Sequence, residues 1–239
     1  MKLLDVLRCA RPVLFENDDA TFPYSIGGSA FVAKFRDRHY VITAKHVLNI
    51  HSFLPDQFRV QYRPDFNGFI PLAALHTFRV NDPEDTDQFE VAVWKVDESG
   101  LREELFGDYS PYNLLSIDTL TIFSPASKYI YRGFPTVLRD WNWDKKSMRQ
   151  DAVLAQAQYI GRASWAYVHK LQLMSLDPLS SVDGLSGSPV FQVVFLEAPY
   201  ATEAFAGILL RGSRPADQAY FLEHSRIIEL LHLVHEGLA

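Results

Sequence analysis

The sequence predicts an all-β protein closed by a single helix. Short segments rich in β-branched and aromatic residues recur along the chain, polar turn residues punctuate them at fairly regular intervals, and one C-terminal stretch carries apolar residues at helical spacing. Short strands spaced in this way are the pattern of a β-sandwich or a β-barrel.

The clearest strand pair is "GSAFVAKF" and "RHYVITAKHV", with "FRDRHY" supplying the polar turn between them. Further strands are expected in "FRVQYR", "HTFRV", "FEVAVWKV", "KYIYRGF", "DAVLAQAQYIGRA", "HKLQLM", "SPVFQVVF", "AFAGILLRG" and "AYFLE". Short helices are expected in "KHVLNI" and "LREELFG". In "HSRIIELLHLVHEGLA", Ile227, Ile228, Leu230, Leu231 and Val234 share one helical face, with Ser225 expected as N-cap and Gly237 as the stop. The polar stretch 97–120 reads as a linker between two β domains, drawn as 1–108 and 109–239.

Bulk properties exclude several classes. Of 239 residues, 48% are hydrophobic and 22% charged, which disfavours disorder. A net charge of −6 argues against a nucleic-acid binder, which needs surplus cations to displace condensed counterions. The lone Cys9 has no partner within the chain for a disulfide. The first apolar run is broken by Asp5 and Arg8, and no stretch approaches the roughly 20 apolar residues that cross a bilayer. A cytoplasmic location without a membrane partner is expected.

The stretch "SVDGLSGSPV" raises the question of chemistry. A serine hydroxyl is a useful nucleophile only beside a base, and the base needs an orienting acid. Ser186 lies between two glycines; His46 follows the strand in "YVITAKHV"; Glu90 directly precedes an apolar run, with Asp87 close upstream as the alternative acid. His232 and His235 lack a third ligand of clear spacing, so no metal is expected. His39, His51, His76, His169 and His224 form no constellation and read as ordinary surface or strand residues, and Trp141 and Trp143 as packed under a loop.

Three of these segments together resemble the trypsin-like serine peptidases. "VITAKHV" is similar to their Thr-Ala-x-His motif, "GLSGSPV" to Gly-x-Ser-Gly-x-Pro, and "FEVAVWKV" to the acid motif, where a carboxylate precedes a hydrophobic-Ala-hydrophobic run. "GGSAFVAKF", "YRGFP", "FAGILLRGS" and the final helix extend the resemblance over roughly residues 25 to 236. The relatives it points to are the cysteine-poor bacterial type related to the Deg/HtrA protease domain, without a PDZ domain.

The resemblance implies two antiparallel six-stranded barrels with a C-terminal helix and a serine endopeptidase that needs no cofactor. Ser186 would be the nucleophile, His46 the base, Glu90 the acid where the family usually has Asp, and the N–H groups of Gly184 and Ser186 the oxyanion hole. A substrate pocket would draw on Ser180, Ser181, Leu210, Arg211 and Gly212, with a wall near Ala219. No acid is visible at its base, so a small or medium apolar residue is expected there, and Arg211 reads as a solvated rim residue. Leu185 stands where animal-type relatives carry an Asp that pairs with a newly cut N-terminus, so that activation route is not expected. The expected partners are a protein or peptide substrate and a regulatory protein. The competing expectation is a catalytically silent module that binds a peptide or partner in the same cleft.

Overall fold

The computed structural model describes residues 6–21, 23–52, 54–78, 87–114, 123–125, 127–142, 147–174, 181–195, 201–213 and 215–238. Within these, side chains at 6, 50–52, 141–142, 147–148, 195 and 201 are left out of the description. Ser180 and Trp143, both singled out above, lie outside the described residues, as does the side chain of Trp141.

The first half forms a seven-stranded sheet. Its strands are β1 (Ala10–Glu16), β2 (Tyr24–Phe35), β3 (Arg38–Thr43), β4 (Phe58–Val60), β5 (Leu72–Thr77), β6 (Ala92–Val96) and β7 (Tyr112–Asn113). The order is β4-β1-β2-β3-β6-β5, and β7 pairs parallel with β2 from a position beyond residue 108. Among the described residues the sheet does not close into a second barrel, contrary to expectation. No ladder there pairs its end strands β4 and β5; the segment between them folds back through a bridge between Gln61 and Phe69 and a bond from the Ile70 N–H to the Val60 carbonyl at 2.8 Å. Strand β4 is three residues long and the chain folds back at once, with the Tyr62 N–H on the Gly68 carbonyl. That edge is too short for a ladder.

Strand β1 was not anticipated. Arg11 and Pro12 interrupt its apolar pattern, yet Arg11 is fully buried because its guanidinium donates to the carbonyls of Ala10 and Tyr109, each at 2.9 Å. These bonds offset part of the cost of burying the cation, whose Nε has no partner among the described residues.

The second half is a closed six-stranded barrel. It contains β8 (Lys128–Gly133), β11 (Val153–Arg162), β12 (Val168–Leu173), β13 (Pro189–Phe195), β14 (Ala201–Ser213) and β15 (Gln218–Glu223). Strands β9 (Arg139–Asn142) and β10 (Ser147–Gln150) form a separate hairpin between β8 and β11. Strand β11 alternates strictly, turning Ala155, Ala157 and Tyr159 inward against Tyr129, Leu171 and Phe221. Burying a side chain such as Phe221 contributes about 1.5–3 kcal/mol.

Helix α1 (His224–His235) closes the chain and buries Ile227, Leu230, Leu231 and Val234. The expected N-cap is corrected: Glu223 holds that position, and Ser225 lies inside the helix with its hydroxyl donating to the Glu223 carboxylate at 2.8 Å. Gly237 follows the helix with φ of +74°. His169 is not an ordinary strand residue, since it is buried between Tyr159 and Glu223, its ring nitrogens 3.1 Å from each. His39 is likewise buried, against Glu98.

One hydrophobic cluster spans the two halves, while the barrel interior holds a second cluster of its own. Phe31 of β2 packs on Phe205 of β14 at 5.2 Å between ring centroids, and Tyr112 of β7 on Phe191 of β13 at 4.9 Å.

Candidate active site

Strand β3 is buried from His39 to Thr43, and the chain then turns at Ala44 into a 3-10 helix, Lys45–Ser52. His46 therefore emerges at the end of the strand with its side chain 40% exposed. Glu90 approaches from the segment leading into β6. Its Oε2 accepts two hydrogen bonds from the same residue, one from the His46 backbone N–H at 3.0 Å and one from His46 Nδ1 at 2.8 Å. An ionised carboxylate only accepts, so the second bond puts the imidazole proton on Nδ1 and leaves the Nε2 lone pair free.

Asp87, the alternative acid, is engaged elsewhere. Its carboxylate takes the Arg211 guanidinium in a two-pronged ion pair, Nη1 to Oδ1 at 2.9 Å and Nη2 to Oδ2. Arg211 stays 44% exposed at the rim of the cleft, but besides facing water it is paired with Asp87 and lies over the rings of Trp165 at 4.8 Å and Tyr220 at 5.2 Å. Hydrogen bonding to Asp87 raises Arg211 above the ordinary arginine range.

Ser186 sits in a turn that Ser29 of β2 holds through its hydroxyl and its backbone N–H. The Ser29 hydroxyl donates to the Gly184 carbonyl at 2.7 Å and accepts the Phe134 N–H at 2.9 Å. Its N–H donates to the Ser186 carbonyl at 2.9 Å, and its own carbonyl accepts the Thr43 hydroxyl at 2.7 Å. Two glycines permit this approach. Gly187 has φ of +86°, and a Cβ there would lie 2.0 Å from the Ser29 carbonyl oxygen. Gly184 has φ of +90°, and a Cβ would lie 2.6 Å from the Phe134 carbonyl oxygen. Neither conformation nor space suits a side chain.

The Asp183 carbonyl accepts the Thr136 N–H at 2.9 Å. In a trans peptide the N–H opposes the carbonyl, so the Gly184 N–H faces away from Thr136. Among the described residues, neither the Gly184 nor the Ser186 N–H donates to another backbone group. Two amide donors thus flank the serine.

The Ser186 hydroxyl donates to the Leu210 carbonyl at 2.6 Å, and among the described residues it makes no hydrogen bond to His46. A bulge in β14 explains the available acceptor: Leu209 pairs with Phe221 and Arg211 with Tyr220, leaving Leu210 out of the ladder. The Leu210 side chain is buried in the core, so only its carbonyl serves the cleft.

His46, Gly184, Ser186, Arg211 and Gly212 line a single cleft of about 900 Å³. Of the other expected pocket residues, Ser181 is half-buried and its hydroxyl accepts the Asp183 N–H at 3.0 Å, while Ala219 is buried opposite Gly212. Sequence reasoning missed Ser29, Thr43 and the Asp87–Arg211 pair. Their roles come from partners more than a dozen residues away, and no local motif signals them. Among the described residues, no group of three or more His, Cys, Asp or Glu is arranged to hold a metal ion.

A closed six-stranded barrel and a seven-stranded sheet around an inter-sheet cleft, with a terminal helix, make the trypsin-like fold. The chain is similar to a solved structure of that fold, the scabies mite inactivated protease paralogue S-D1, with a TM-score of 0.62 and 14% sequence identity over 98% of this chain and 95% of that chain. No family model matches the sequence, and no curated protein matches it.

Proposed function

We propose that the protein is a serine endopeptidase acting through Ser186, His46 and Glu90. The observation that carries this reading is the double hydrogen bond from His46 to Glu90 at the mouth of the cleft that holds Ser186. It holds the imidazole through Nδ1 so that Nε2 is the nitrogen left to act as base, while Gly184 and Ser186 supply two amide donors for an oxyanion. In the reaction, Ser186 Oγ attacks the scissile carbonyl carbon as His46 Nε2 takes its proton. The amine leaves with that proton, and water then releases the acyl group.

The resting hydroxyl must first leave the Leu210 carbonyl, which a rotation about the Ser186 Cα–Cβ bond accomplishes. The substrate reading is an unfolded or extended protein segment with a small or medium apolar residue at the pocket, supported by Val182 standing against Gly212, where an added Cβ would lie 3.2 Å from Val182 Cγ2. A cytoplasmic setting, kinship with the cysteine-poor bacterial and Deg/HtrA type, and restraint by a regulatory protein belong to the same proposal.

One observation favours a second reading, a silent module that binds a peptide in the cleft: the Ser186 proton points at Leu210 rather than at His46. The similar mite protein is described as an inactivated protease paralogue. A fluorophosphonate probe separates the readings. Wild-type protein is expected to form an adduct, located on Ser186 by mass spectrometry, that Ser186→Ala lacks. Folded wild-type protein with no adduct would decide for the binding module.

A further inference from the structure

Glu90 is preceded by a 3-10 turn, Asp87–Phe89, whose Asp87 carbonyl accepts the Glu90 N–H at 3.3 Å. Although this turn belongs to the first half, two arginines of the second half hold it. Arg211 of β14 takes the Asp87 carboxylate with both prongs. Arg226 of α1 donates from Nε to the Gln88 carbonyl at 3.3 Å and lies over the ring of Phe89 at 5.1 Å.

Each arginine is itself fixed. Arg211 rests between Trp165 and Tyr220, and Arg226 lies over Phe78 at 4.4 Å and Tyr167 at 5.0 Å while pairing with Glu229. The side chains of Asp87 and Arg226 are each only 9% exposed, whereas Arg211 is 44% exposed, so the Asp87–Arg211 pair is open to water on the arginine side.

We propose that Arg211 and Arg226 form a clasp across the two halves that sets Glu90 against His46. Asp87, Arg211 and Arg226 are positioning residues, and the proposal rests on the peptidase reading for its catalytic consequence. The physical need is specific to this chain. A glutamate has one more rotatable bond than an aspartate, so more side-chain freedom must be restrained to keep its carboxylate on the imidazole. Holding the turn immediately before Glu90 restrains its backbone, and the Lys45 N–H on the Glu90 carbonyl at 3.3 Å restrains the other side. Because both arginines come from the second half, the His46–Glu90 pair depends on the halves being docked.

The test uses the full chain and a readout independent of turnover. A His46 Nδ1–H held by a carboxylate gives a downfield proton NMR resonance, identified by its loss in His46→Ala. Asp87→Asn and Arg226→Gln, neither of which lines the cleft, are expected to broaden or abolish it. They are also expected to slow acylation of Ser186 by about 10- to 100-fold with little change in KM, the scale of loss for a misplaced catalytic group.

An unchanged resonance in either folded variant, or its absence from the wild type, overturns the clasp. Should Asp87→Asn or Arg226→Gln fail to fold, Arg211→Lys keeps the charge but loses the fork, and a resonance unaltered there overturns the proposal equally. If the wild type forms no Ser186 adduct, the peptidase reading fails while the resonance still tests the clasp.

Discussion

Ser29 takes no chemical part in the site, yet its hydroxyl and backbone N–H grip the Ser186 turn from the other half of the molecule. The residues of the motifs themselves were legible because their chemistry is local, a serine between glycines or a carboxylate before an apolar run. Which carboxylate serves the histidine was not legible. Glu90 and Asp87 are three positions apart, and their division between His46 and Arg211 follows from how the 3-10 turn splays them. Glu90→Gln tests the assignment. A glutamine amide offers the imidazole a donor as well as an acceptor and so loses the enforced tautomer, and kcat is expected to fall about 10,000-fold, as in triads whose acid is amidated. A kcat within about tenfold of wild type would remove Glu90 from the mechanism.

At the scale of elements, alternation identified the barrel strands, including the strict pattern of β11, but not β1, where a buried Arg11 and Pro12 hide the period, nor β7 and the β9–β10 hairpin, which read as linker and loop. The bulge at Leu210 was equally silent in sequence, because a bulge is a mismatch between two strands and not a property of either. The junction of β15 and α1 carries a pH dependence. Burial holds His224, the first residue of α1, below the ordinary imidazole value of 6.5, against the opposing pull of Glu223. The folded protein therefore favours neutral His224, and the unfolded chain binds the extra proton below about pH 6.5. Stability is full above that pH and is lost as pH falls below it. The midpoint of urea unfolding is expected to fall between about pH 7 and pH 5 in the wild type and to fall less in His224→Phe. Glu223 is held below its ordinary value of 4.5 by hydrogen bonds from His169 and Ser225, so its stabilising contribution is lost only at lower pH, which keeps the two effects apart.

At the scale of the whole molecule, the barrel keeps a cluster of its own, but the first sheet shares its core with the barrel's outer face and the terminal helix. Phe205 of the barrel touches Phe31 and Tyr112 of the first half and Phe191 of its own. Truncating it leaves a cavity at the seam, so Phe205→Ala is expected to cost about 3–5 kcal/mol. With the seam intact, the halves are expected to unfold together. Single-tryptophan proteins retaining Trp94 in the first sheet or Trp165 in the second half should give superimposable urea transitions, and separated transitions would show that the halves are independent. The linker expected at 97–120 is part of this seam in its described portion, because β7 within it joins β2 and Tyr112 packs on Phe191.

The sequence by itself determined the strand-rich class, the terminal helix and the three motifs that nominate Ser186, His46 and Glu90, since each is written in residues within a few positions of one another. Only the tertiary structure decided that the first sheet stays open, that Glu90 rather than Asp87 meets His46, and that the Ser186 hydroxyl rests on Leu210. Those outcomes depend on distances between segments well separated along the chain, from 24 residues for Ser186 and Leu210 to 124 for Asp87 and Arg211, which no local pattern encodes.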